Sequence, residues 1–185
     1  RLGQSASAIE AAVAARSWSS EKETRIDGEA ILSGARTAVD LPEQDYADAL
    51  LAARIIAYAQ GFRLLAAASE EYNWSLDFAR ISEIWRAGCI IRSALLDDIS
   101  AAFRGEMPKG QLVFAPAFAE RLKATVPALR RVVAAAVLNG HPVPACASAL
   151  SFIDTLSMAR GTTDLIQAQR DFFGMHGFER IDGGA

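Results

Sequence analysis

The chain has 185 residues, of which 51% are hydrophobic and 22% charged. That is the profile of a soluble globular domain long enough to bury its own core. Its formal net charge of −3 excludes a global pull toward nucleic acid or an anionic membrane, so any phosphate site must be local. Helical spacing runs from end to end with no alternating strand pattern, and the abundance of Ala favours helix. Ser5 to about Arg16 reads as an Ala-rich helix that continues or restarts through the polar Ser17–Arg25 stretch. Asp40-Leu41-Pro42-Glu43 then predicts a helix start, with Asp40 as cap and Pro42 in the first turn. That helix runs to about Tyr72, roughly 45 Å at 1.5 Å per residue. Its middle, Arg54–Phe62, is apolar nearly all round, as expected of a buried central helix. Arg54, Gln60 and Arg63 interrupt the apolar Ala49–Ala68 stretch and argue against an uninterrupted bilayer span.

Ser75 is the expected cap of a short helix over Leu76–Trp85, and Ala87-Gly88 a break before a helix from Cys89 to Phe103. A loop over Gly105–Gly110 precedes a helix from Pro116 to Leu138, in which Pro127 cannot donate its turn's hydrogen bond and predicts a kink. Asn139-Gly140-His141-Pro142 ends it, and Pro144 opens another helix to about Arg160. Thr162 or Thr163 caps the last helix, which closes at Gly174. The expectation is an all-α domain of six or seven helices over 1–185, with one long central helix, no sheet and no long linker.

Cys89 and Cys146 stand far apart in no metal-like spacing with the two histidines, and read as reduced cytosolic thiols. No basic-then-apolar leader opens the chain, and Arg1 stands where an initiator Met would be, as expected of the middle of a longer polypeptide or of a trimmed end. Neither a G-x-G-x-x-G turn nor a phosphate-binding P-loop can be written from these residues. Asp97 and Asp98 are adjacent, do not face each other on a helix, and read as solvated. His141 sits in a turn and is assigned no role.

Three segments carry the chemistry. Leu165-Ile166-Gln167-Ala168-Gln169-Arg170-Asp171-Phe172-Phe173-Gly174-Met175-His176 gathers an Arg, an Asp, an aromatic pair, a Gly and a His in one short stretch. On the residues alone, two readings stand. Arg170 pairs with neighbouring acids while His176 caps the helix C-terminus, where positive charge is favoured. Alternatively, a turn at Gly174 brings His176 round toward Arg170. Trp85-Arg86-Ala87-Gly88-Cys89-Ile90-Ile91-Arg92-Ser93 reads as structural, with Arg86 and Arg92 meeting helix-end carbonyls or acidic partners. Ala12-Val13-Ala14-Ala15-Arg16-Ser17-Trp18-Ser19-Ser20 presents Arg16 at a helix end, either as a solvated surface cation or as a planar fork for phosphate oxygens.

In that order and spacing, the three segments resemble the C-terminal helical domain of the 6-phosphogluconate dehydrogenase family, the decarboxylating oxidoreductases of the pentose phosphate pathway. The resemblance implies that Arg16 binds the substrate phosphate within its own subunit. It implies further that Arg170 and His176 reach 6-phosphogluconate in the other subunit of a homodimer, with about 174–185 as the reaching tail. It places the Rossmann domain, the catalytic Lys and Glu, and the NADP site before Arg1, so this chain holds no catalytic or cofactor-binding residue and is inactive alone. NADP and NAD are not distinguished, since the residues that read the cofactor are absent. No Lys or Glu occurs between Asp48 and Glu70, which matches the second of the family's two helical repeats rather than the catalytic first. Ile181–Ala185 departs from the pattern, stopping short of the His- and Trp-containing tail of many members. The implied compartment is the cytoplasm. The alternative is a non-catalytic helical dimerisation or phosphosugar-binding module of the same descent.

Overall fold

A computed structural model of the chain describes residues 2–32 and 34–179, so the expected tail beyond Glu179 lies outside the described residues. The chain divides into two compact units, Arg1–Leu150 and Ser151–Ala185. All regular structure among the described residues is helical, in eight α-helices and two short 3₁₀ turns.

The first helices are two rather than one. α1 (Ser7–Trp18) stops and α2 (Lys22–Leu32) restarts. Between them the Ser19 and Ser20 hydroxyls bond back to the carbonyls of Arg16 and Ser17, at 2.7 and 2.8 Å. Such local bonds offer the backbone an alternative to continuing the helix. α3 (Glu43–Glu71) is the long element, 29 residues, and it starts behind Pro42 rather than Asp40. The reason is steric: Pro42 pushes Leu41 out of the helical region, so a cap at Asp40 cannot lead into a turn. Asp45 instead donates its backbone N–H to the Pro42 carbonyl at 2.9 Å.

α3 packs mainly on α6 (Pro116–Leu138), within which Pro127 is contained, while α4 (Phe78–Gly88) and α5 (Leu95–Arg104) pair with each other. Ala52, Ile55 and Ile56 of α3, Leu96 and Ile99 of α5, and Leu129 of α6 are all at 0% exposure. Each of the larger ones contributes about 1.5–3 kcal/mol by leaving water. By length and mean hydropathy α3 is long and apolar enough to cross a bilayer; here its buried residues form the centre of a helical core. Cover is not complete on every side, because Leu50 and Leu64 remain 58% and 36% exposed within this chain.

Two helix starts differ from the sequence expectation for tertiary reasons. Ser75 sits in a left-handed turn (φ +51°), and Asp77 caps α4 by accepting the Arg80 N–H at 2.9 Å. Cys89–Ala94 is irregular because α3 holds it: the Tyr58 hydroxyl donates to the Ile91 carbonyl at 2.5 Å and Arg54 to the Ser93 hydroxyl at 2.6 Å. Ser93 then accepts the Leu95 N–H at 3.2 Å, and α5 begins there.

Ion pairs join the helices. Arg131 grips Asp45 with both arms, at 2.8 and 2.6 Å, tying α6 to the start of α3. Glu83 of α4 is held by Arg104 and Arg80 and accepts from Ser100. Asp97 and Asp98 keep contact with solvent, and each also has a partner: Asp97 pairs with Arg86 at 2.8 Å and Asp98 with Arg121 at 2.6 Å. Both carboxylates are partly exposed, so these pairs fix geometry more than they stabilise.

α7 (Pro144–Leu156) ends at Leu156 rather than Arg160, and the Ser157 hydroxyl closes it by donating to the Ile153 carbonyl at 2.7 Å. In the second unit, α8 (Thr162–Gly174) has no buried residue. Its cap is Gly161, not a threonine. A Cβ at Gly161 would stand 2.6 Å from the Met158 sulfur, so a larger residue there would make that exposed side chain shift.

Candidate functional site

Arg16 lies exposed in the last turn of α1. The sequence around it explains how it is held. Its Nη1 donates to Ser19 Oγ at 2.6 Å, and that hydroxyl donates to the Arg16 carbonyl at 2.7 Å. No carboxylate neutralises the guanidinium among the described residues, which leaves most of its donor fork available to an anion. α1 itself is positioned from α3. Gln60, at 0% exposure, accepts the Ala8 N–H at 3.0 Å and donates to Ser7 Oγ at 3.3 Å. A side chain of the central helix thus satisfies a donor that the first turn of α1 cannot satisfy itself.

In the second unit the chain reverses after α8. Met175 takes the left-handed conformation (φ +48°) and donates its N–H to the Asp171 carbonyl at 2.6 Å. Gly177 (φ +76°) donates its N–H to Asp171 Oδ1 at 2.6 Å, and its carbonyl accepts from Gln167 Nε2 at 2.7 Å. The reversal lays the His176 ring on Gly174: a Cβ there would stand 2.7 Å from the ring's Nε2. Gly174 follows Arg170 by one helical repeat, so the two share a face. The chain turns after Gly174, and the turn sets the His176 ring against the last residue of α8. Arg170 is exposed, with no ion pair among the described residues. Phe172 and Phe173 stand edge to face at 5.6 Å, exposed.

Three further places bear on function. Ile9, Arg54, Tyr58, Trp85, Ile91 and Arg92 are among the residues lining a groove of about 450 Å³. Burial pushes the Tyr58 hydroxyl above its ordinary pKa, opposed by the nearby Arg54. His141, which the sequence leaves without a role, ties the α6–α7 turn to the connector before α3: its Nε2 lies 2.7 Å from the Thr37 carbonyl. Since a carbonyl only accepts, that nitrogen carries the proton. No group of acids, histidines and cysteines among the described residues could hold a metal ion. A dinucleotide site of the strand, glycine-rich turn and helix type cannot be formed from the described residues, which are helical throughout their regular structure.

The residues that shape the reversal, Gln167, Asp171 and Gly177, were not singled out by sequence reasoning. Their signal was present in the spacing of Gln167 and Asp171, four apart on one helix face and followed by two glycines.

Comparison with known proteins bears on the chain as a whole. The family profile described as "6-phosphogluconate dehydrogenase, C-terminal domain" matches residues 1–185. The chain is 49% identical over 135 residues to a decarboxylating 6-phosphogluconate dehydrogenase of Treponema pallidum (strain Nichols), covering 73% of this chain and 28% of that protein. It is 44% identical over 185 residues to the one from Escherichia coli (strain K12), covering 98% of this chain and 40% of that one. Among solved structures, Plasmodium falciparum 6-phosphogluconate dehydrogenase, described apo, with its cofactor NADP+ and with its substrate 6-phosphogluconate, matches with a TM-score of 0.87. That match has 34% identity and covers 99% of this chain and 40% of the other. The chain therefore spans two fifths or less of the length of these relatives.

Proposed function

This chain belongs to the 6-phosphogluconate dehydrogenase family, as its C-terminal domain, and on that premise we propose that it is the substrate-binding and dimer-forming part of a complete decarboxylating enzyme. That enzyme oxidises 6-phosphogluconate with NADP and releases CO2 to give ribulose 5-phosphate, in the cytoplasm. In this reading the nucleotide and the reacting carbon are served by the remainder of the enzyme, this chain matching 40% of the length of the Escherichia coli relative. Arg16 clamps the substrate phosphate in its own subunit. Arg170 and His176 serve the site of the second subunit of a homodimer, Arg170 on the phosphate and His176 in orienting the sugar acid.

The observation that carries this reading is the reversal after α8. It lays the His176 ring on Gly174, one helical repeat after an arginine that has no ion pair among the described residues, beside a helix that buries none of its own residues. Guanidinium suits phosphate because its planar fork makes paired, charge-assisted bonds. Such contacts act on the rate as well as on affinity, because binding energy at the phosphate fixes the geometry of the distant reacting carbon.

A complementation experiment tests the shared site. Full-length His176→Ala subunits are mixed with subunits lacking the upstream catalytic Lys, each nearly inactive as a homodimer. A mixed dimer contains one intact site if His176 works in trans, and activity returns after subunit exchange. Demonstrated exchange without recovered activity would show that His176 serves its own subunit or none.

A further inference from the structure

We infer that Gln167 and Asp171 are positioning residues for the reaction: together they hold the reversal that sets the His176 ring on Gly174, one helical repeat after Arg170. The inference rests on the proposed role of His176 and adds to it the parts that aim it.

At 3.6 residues per turn, Gln167, Arg170, Asp171 and Gly174 fall within about 100° of the helix circumference. The two that bond to the returning chain, Gln167 and Asp171, thus lie on the same side of α8 as Arg170 and Gly174. Asp171 acts twice, through its carbonyl on the Met175 N–H and through its carboxylate on the Gly177 N–H, both at 2.6 Å. Gln167, one turn earlier, takes the Gly177 carbonyl at 2.7 Å. Gly177 is therefore gripped at both its donor and its acceptor, on either side of a peptide whose direction decides where His176 points. The grip is needed because, among the described residues, no packing contact supports the reversal. His176, Gly177 and Phe178 are exposed, α8 buries no residue, and Met175 holds a left-handed conformation that a side-chain-bearing residue adopts at a cost. Gly174 completes the arrangement by leaving space: a methyl group there would stand 2.7 Å from His176 Nε2 and 2.9 Å from Cδ2. An exposed ring can swing away from that methyl, which moves it off the face shared with Arg170.

Asp171 also has a chemically distinct conservative variant. Asn keeps a side-chain oxygen able to accept the Gly177 N–H while losing the charge, whereas Ala removes the acceptor. The proposal concerns hydrogen-bonded placement, so Asn should behave like Asp and Ala should not.

The test is a double-mutant cycle in the complete enzyme, read as kcat/KM for 6-phosphogluconate. Asp171→Ala and Gln167→Ala should each lower it by about 10- to 100-fold, the scale expected when a substrate-contacting group is misplaced by roughly an ångström. Asp171→Asn should stay within about threefold of wild type. In a His176→Ala background the Asp171→Ala loss should nearly vanish, because the group it aims is gone. An equal loss in both backgrounds would overturn the inference, since Asp171 would then act on something other than His176. A crystal structure of the Asp171→Ala enzyme with the ring still on Gly174 would overturn it whatever the activity. If His176→Ala alone leaves kcat/KM unchanged while that structure shows the ring displaced, the role of His176 has failed although the turn works as described. In that event the positioning role in the reaction falls with it. Wild-type melting behaviour of the Ala variants separates misplacement from loss of folding.

Discussion

Replacing Gln60 by Leu removes one acceptor from the centre of the first unit while nearly conserving volume. Gln60 is at 0% exposure and Ala8 at 4%, so the Ala8 N–H that now donates to Gln60 Oε1 at 3.0 Å would have neither a protein partner nor water. An orphaned buried donor costs about 1–3 kcal/mol. In a chain of this size each kcal/mol lowers Tm by about 2–4 °C, so Gln60→Leu should melt roughly 2–12 °C below wild type by circular dichroism. Gln60→Glu supplies the control. It keeps an acceptor for Ala8 but buries a carboxyl, whose charged form is disfavoured. Its deficit against wild type should therefore shrink as pH falls and the carboxyl protonates. The consequence reaches function because α1 ends at Arg16, and few other groups of that helix are buried. In the complete enzyme the Leu variant should also raise KM for 6-phosphogluconate, below its own melting range. A Leu variant that melts within a degree of wild type would refute the argument that Gln60 anchors α1.

The acid limb of stability has a definite sign. Asp45 is held below its ordinary pKa by the Arg131 hydrogen bond, against the opposing effect of burial, and Glu83 is held low by Arg104 and then Arg80. Depressed folded-state values mean stability that is complete above the unfolded carboxylate range near pH ~4 and lost as pH falls through the folded values. Urea midpoints should hold level from neutral pH and then drop, and Asp45→Asn with Glu83→Gln should flatten that drop; an unaltered acid limb in the double variant would contradict it. For the phosphate, Arg16→Ala and Arg170→Ala should each weaken substrate binding in the complete enzyme by about 1.5–3 kcal/mol, the scale of a charged hydrogen bond. Lys should rescue either only partly, since a point charge lacks the paired geometry; unchanged affinity in a folded Ala variant would return that arginine to a surface role.

Elements whose limits are set by local chemistry were legible in the sequence. Pro116 and Asn139-Gly140 bracket α6, and Pro144 opens α7, because proline fixes φ and glycine permits the turn beyond the helix. The long helix was legible from its apolar run, though its start moved from Asp40 to Glu43 once the steric effect of Pro42 on Leu41 is counted. What the sequence concealed depends on distant partners. Nothing in Cys89–Ala94 announces that Tyr58 and Arg54 will hold it open, more than thirty residues away in the chain. Asp97 and Asp98 are solvated as read, but their partners Arg86 and Arg121 approach only after α4, α5 and α6 have packed.

The candidate site divides along the same line. Arg16 and Arg170 were picked out as residue types suited to a phosphate and His176 as one suited to orienting a substrate, and all three are exposed. The device that aims His176 was overlooked, although it is local, because a polar residue on a helix surface ordinarily means only solvation. Gln167 and Asp171 gain meaning from Gly177, whose φ of +76° lets the chain come back within reach of both. An exposed helix that buries nothing cannot fix a neighbouring loop by packing. It can do so through directional hydrogen bonds, and those bonds end on the one residue beyond His176 that must turn for the ring to lie where it does.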